Sequence, residues 1–170
     1  YLTGESPRAV VGILWDGGHC GDLLHLAEQG ALPNVARLIE RGVALRGGAV
    51  AQFPSITLTN HTSILTGVGP GRHGVLGNVY FDRATGQQVV PNDETTWHRS
   101  AEWLRPGVRT VFELVDGMTA SVNEAIDRGA TYSTMGLIRA SAGESGAGAL
   151  GDQLPPAEAS PFLGDPRFIE

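Results

Sequence analysis

Ala9-Val10-Val11-Gly12-Ile13-Leu14-Trp15-Asp16-Gly17-Gly18 is the stretch that decides the fold class. A continuous apolar run stopped abruptly by an Asp and two glycines predicts a strand buried on both faces of a parallel sheet. Helical spacing follows. Leu23, Leu24, Leu26 and Ala27 lie in a segment from Asp22 to Gln29 that Gly30 ends. Pro33 opens a second helical segment in which Val35, Leu38 and Ile39 share a face, and Gly42 closes it. Val43 to Val50 then predicts a second strand. Thr57 to Thr66 predicts a third helix, introduced by the Phe53-Pro54-Ser55 turn and ended by Gly67. Strand and helix patterns alternate through residues 9–82, which predicts an α/β core with a mostly parallel sheet flanked by helices.

Beyond that core the pattern loosens. Residues 83–105 are polar with Trp97 and Trp103 embedded, and read as a surface excursion. Thr110 to Val115 begins another α/β element. From Ala140 onward Gly, Ala, Ser and Pro dominate, which predicts a flexible segment at about 140–165.

Composition removes several chemistries. Cys20 is the sole cysteine, so neither an internal disulfide nor a multi-cysteine zinc site can form. All 12 basic residues are arginine, so no lysine is present for a Schiff base or a P-loop. A net charge of −6 opposes binding of nucleic-acid polymers. No apolar run approaches the roughly 18 residues that a membrane span needs.

Two features could carry chemistry. Asp16 sits at the end of the first predicted strand, where open α/β sheets place ligands, although a turn Asp before two glycines explains it equally well. Thr57, read as the N-cap of its helix, would lie among unpaired backbone N–H groups at the positive end of the helix dipole, a ready phosphate site. A hydroxyl there becomes a useful nucleophile only when something lowers its pKa, as a divalent metal would. Physics alone favours an ordinary capping Thr.

The order of residues adds to this. Asp16, then Thr57-x-x-Asn60-His61-x-Ser63-Ile64-x-Thr66-Gly67, then His73-Gly74-x-x-x-Asn78 resembles the type I phosphodiesterase/nucleotide pyrophosphatase family of the alkaline phosphatase superfamily. The resemblance covers residues 9–82. It implies an alkaline phosphatase-like core, here its N-terminal part, in which Asp16 is a metal ligand and Thr57 a metal-bound nucleophile. Asn78 would bind substrate by donating to a phosphoryl oxygen. It further implies two divalent metal ions, zinc by preference, and a small phosphodiester or nucleotide substrate split through a phospho-threonine. Asp16, Thr57 and Asn78 are then expected at one edge of the sheet.

The sequence also departs from the family. Ile56 and Leu58-Thr59 replace the family's usual neighbours of the nucleophile, which leaves Ser55 and Thr59 as adjacent hydroxyls. The spacing to Asn60-His61 selects Thr57. The family's remaining ligands come from an Asp and a His a few residues apart, an adjacent Asp-His pair and a late His. None of these occurs between Asn78 and Glu170, so the 170 residues alone are expected not to make a competent enzyme. His61 and His73 read as structural hydrogen-bonding residues, and His19 and His25 as solvated surface. A non-catalytic phosphate- or nucleotide-binding module is the competing reading. So is a phosphomonoester or phosphonate hydrolase of the same superfamily.

Overall fold

The structure is a computed structural model that describes residues 9–142. The segment expected to be flexible, about 140–165, lies outside the described residues beyond position 142. The chain divides into two compact units, one ending at Ala51 and one beginning at Gln52. No helix among the described residues is long and apolar enough to cross a membrane.

The first unit is a pair of helices, α1 (Cys20–Glu28) and α2 (Pro33–Arg41). The link between them follows from a C-terminal glycine motif. Gly30 takes φ +78°, Ala31 N–H donates to the Leu26 carbonyl and Gly30 N–H to that of Ala27. Pro33 then starts α2, where its missing N–H costs nothing. Val35 and Ile39 are half-buried along α2, but Leu38 is 71% exposed and does not share their face.

Residues 9–15 differ from expectation. They carry no strand pairing among the described residues, and Val10, Val11 and Ile13 are each at least 80% exposed. The predicted strand at 43–50 is instead a loop with a turn from Leu45 to Gly48, whose N–H reaches the Leu45 carbonyl at 2.9 Å. The reason is shared. A strand completes its hydrogen bonds only against another strand, and glycines at positions 42, 47 and 48 weaken the second run as a partner.

The second unit holds a core of Leu58, Val75, Leu104 and Ile126, with Leu65, Trp103, Val108 and Ala125 packed around it. Helix α3 (Thr57–Thr66) contributes Leu58 and Leu65, and ends at Gly67 in the left-handed region at φ +68°. A short α4 (Pro70–His73) follows. Strands β1 (Tyr80–Asp82) and β2 (Gln87–Val89) form an antiparallel hairpin with Tyr80 opposite Val89. Residues 83–105, expected at the surface, prove mixed. The hairpin turn is exposed, but the 3-10 helix Trp97–Trp103 buries Ser100 and Ala101, and Leu104 enters the core.

Helix α5 (Val111–Leu114) starts with a reciprocal cap between Thr110 and Glu113. Strands β3 (Ala120–Ser121) and β4 (Tyr132–Ser133) pair in parallel, and α6 (Thr134–Ser141) follows with Ser133 as its cap. Among the described residues, helices thus accompany two small sheets, one of them parallel.

Candidate functional site

Helix α3 opens at Thr57, with Ile56 rather than Thr57 in the capping position. This start of the helix has a local cause. Ile56 holds extended backbone angles, φ −104° and ψ 139°, and its carbonyl already accepts from Asn60 N–H at 3.0 Å. Thr57 is therefore the first helical residue, and its side chain is exposed. No acceptor four residues back inside the helix exists for the Leu58 and Thr59 amides, which leaves donors at the positive end of the helix.

Asn60 fixes the approach to this helix. Its Oδ1 accepts from Gln52 N–H at 2.7 Å, while Nδ2 donates to the carbonyls of Pro54 at 3.1 Å and Ile56 at 3.0 Å. One carboxamide thus ties residues 52–56 to the first turn. The loop that presents Thr57 is held by the residue three positions after it.

Two histidines brace the same helix. His61 lies one turn beyond Thr57 on the same face, and its Nδ1 meets Glu124 Oε2 at 2.8 Å. His73, wholly buried, accepts from Val75 N–H through Nδ1 at 3.1 Å, so the ring proton of its neutral form sits on Nε2. That nitrogen lies 3.0 Å from Ser63 Oγ, which donates to the Thr59 carbonyl at 3.0 Å. The chain of bonds locks α4 to α3.

Burial lowers the pKa of His73 below its ordinary 6.5, against a smaller upward pull from the Thr59 backbone. Because the folded value is depressed, the stabilisation is present above the unfolded value of 6.5. It is lost as pH falls from there through the folded value. The denaturation midpoint of the chain should therefore drop between pH 7.5 and 5.5, and less steeply after His73→Gln. An equal drop in the urea midpoint in the His73→Gln variant and the unaltered chain would show that His73 is not responsible.

Asn78 lies just before β1 and is exposed. Its neighbour Gly77 packs against Ile56, the residue before Thr57. A Cβ on Gly77 would stand 3.4 Å from Ile56 Cδ1. The Asn78 carboxamide oxygen accepts from Asn92 Nδ2 at 3.1 Å. Asp16 belongs to the first unit, in a turn where Gly18 N–H reaches the Trp15 carbonyl at 3.2 Å and Gly17 takes φ +70°. Thr57 and Asn78 belong to the second. His19 and His25 are exposed. Among the described residues, no group of three or more His, Cys, Asp or Glu side chains could hold a metal ion.

Sequence reasoning missed Glu124, Asn92 and the positioning role of Asn60. The Asn60 role had a signal in its spacing to Thr57. Glu124 and Asn92 had none, because each acts on a residue distant in the chain.

The family model described as type I phosphodiesterase/nucleotide pyrophosphatase matches residues 10–136. An uncharacterized pyrophosphatase/phosphodiesterase of Schizosaccharomyces pombe is 36% identical over 99 residues, covering 52% of this chain and 20% of that protein. The alkaline phosphatase PafA of Elizabethkingia meningoseptica is 31% identical over 90 residues, covering 52% of this chain and 16% of that protein. An ectonucleotide pyrophosphatase/phosphodiesterase of Saccharomyces cerevisiae is 34% identical over 55 residues, 31% of this chain and 11% of that protein. The matched part of the chain thus spans a fifth or less of these relatives. No solved structure matches.

Proposed function

The chain belongs to the type I phosphodiesterase/nucleotide pyrophosphatase family, and on that premise we propose that it carries the nucleophile of a metal-dependent hydrolase of phosphodiesters or nucleotide pyrophosphates. The observation that carries this reading is the presentation of Thr57. It is exposed, it opens a helix of 10 residues, and its loop is pinned by Asn60.

In this reading Thr57 Oγ attacks phosphorus in line with the leaving oxygen. The Oγ–P bond forms as the bond to the leaving group breaks. Water then cleaves the phospho-threonine and restores the hydroxyl. The Leu58 and Thr59 amides and the Asn78 carboxamide donate to the non-bridging oxygens, where negative charge develops. The contact of Gly77 with Ile56 supports Asn78 in this role, since it sets the two segments side by side.

Metal dependence belongs to the same proposal, with two divalent ions and zinc preferred. Asp16 and Thr57 offer oxygen donors of a kind such ions accept, but a zinc site commonly takes three protein ligands or more. The described residues do not supply such a set. Asp16 is proposed as one ligand of a site completed elsewhere in the protein, and the 170 residues alone are proposed to be inactive. Both units would then be parts of one alkaline phosphatase-like domain built on a mostly parallel sheet. The net charge of −6 supports a small substrate over a nucleic-acid polymer.

A second reading is favoured by the likeness to a protein named an alkaline phosphatase: a phosphomonoester hydrolase using the same Thr57. The full-length protein should be assayed on bis(nitrophenyl) phosphate and on nitrophenyl phosphate, before and after chelation and after zinc is returned. Faster diester turnover, lost on chelation and restored by zinc, is expected. Faster monoester turnover would favour the second reading. A protein that binds phosphate, holds no metal and turns over neither ester would be a binding module.

A further inference from the structure

We propose that Asn92 is a positioning residue that fixes which end of the Asn78 carboxamide faces the phosphoryl group. The inference rests on the role given above to Asn78. A carboxamide is nearly symmetric in shape, yet one end accepts hydrogen bonds and the other donates them. An Asn that must donate to a phosphoryl oxygen fails when it is flipped. Asn92 Nδ2 donates to Asn78 Oδ1 at 3.1 Å, and an NH2 group can only donate. The bond therefore claims the oxygen of Asn78 and leaves its NH2 for the substrate. Both side chains are exposed, so the NH2 is reachable.

The pairing is built into the fold. The β1–β2 hairpin sets Tyr80 opposite Val89, which brings positions 78 and 92 to its open end across a separation of 14 residues. The backbone on each side of Asn92 is fixed. Pro91 is wholly buried, and its carbonyl accepts from Ser100 Oγ at 2.6 Å. Asp93 Oδ1 accepts from both the N–H and the hydroxyl of Thr95 at 2.7 Å. On the other side, Gly77 rests against Ile56. The backbone that carries the donor is thus fixed beside the Asn78 oxygen. The region read from sequence as an excursion acquires a function in this way.

The test uses the full-length protein, the diester substrate and four variants. Asn78→Ala should lower kcat by roughly 10²-fold, the cost of one donor to a developing oxyanion. Asn92→Ala should lower kcat several-fold with little change in KM and in the thermal midpoint. Asn92→Asp should be worse than Asn92→Ala, because a carboxylate accepts the Asn78 NH2 and turns the oxygen toward the substrate. Inorganic phosphate should inhibit Asn92→Asp more weakly than Asn92→Ala, which reads the same flip without turnover.

In the Asn78→Ala background, Asn92→Ala should add nothing further. Additive losses, or Asn92→Asp no worse than Asn92→Ala in both readouts, would overturn the positioning role while leaving Asn78 in place. Full turnover in Asn78→Ala would instead remove the role of Asn78, and this inference with it.

Discussion

Thr57→Ala is expected to lower turnover of a nitrophenyl phosphodiester by the full-length protein by about 10⁴-fold or more, the scale seen when a covalent nucleophile is deleted. The folded state should hardly notice. Thr57 is exposed, and Ile56 rather than Thr57 occupies the capping position. The substitution therefore falls among surface changes within about 0.5 kcal/mol. Thr57→Ser keeps the hydroxyl and should keep part of the activity. Ser55→Ala serves as the control for register, because Ser55 lies in the same loop and is also exposed. A fatal Ser55→Ala beside an active Thr57→Ala would move the nucleophile two residues upstream. Loss of activity together with a lowered melting temperature would instead assign Thr57 a structural role.

The largest expected effect on stability lies away from that helix. Asp127 is buried, and both its oxygens are engaged. Arg139 NH2 meets Oδ2 at 2.5 Å and NH1 meets Oδ1 at 3.3 Å, while the Ser133 hydroxyl donates to Oδ2. Arg139 also donates to the His98 carbonyl, so a single guanidinium joins α6, the Asp127 loop and the 3-10 helix. Removing one partner of such a pair leaves an uncompensated charge and typically costs about 3–5 kcal/mol.

Against a total stability of about 5–15 kcal/mol, Asp127→Ala should move the urea midpoint of the second unit far downward. Trp97 and Trp103 fluorescence would report it. Replacing both partners, Asp127→Leu with Arg139→Met, should be milder than Asp127→Ala alone, because no charge is stranded. A double variant as unstable as the sum of the singles would mean that the pair is not coupled.

What the sequence alone determined is what short-range physics fixes. The bounds of α3 follow from a loop proline before it and Gly67 after it. The α1–α2 link follows from Gly30 and Pro33, and Thr57 at the exposed opening of α3 from its place beside the Phe53-Pro54 turn. A helix completes its hydrogen bonds within a few residues, so its start and stop are written locally. The ordered spacing of Asp16, Thr57 and Asn78 likewise carried the family, which residues 10–136 then matched.

Tertiary structure decided the rest. Whether residues 9–15 join a sheet depends on strands elsewhere, because an extended segment has no bonds of its own to satisfy it. The partner of His61 lies 63 residues away at Glu124, that of Asn78 lies 14 away, and Arg139 reaches back 41 residues to His98. No periodicity or cap encodes such pairs. Each exists because packing around Leu58, Val75, Leu104 and Ile126 brings distant segments together, and the burial that drives the packing does not depend on residue order.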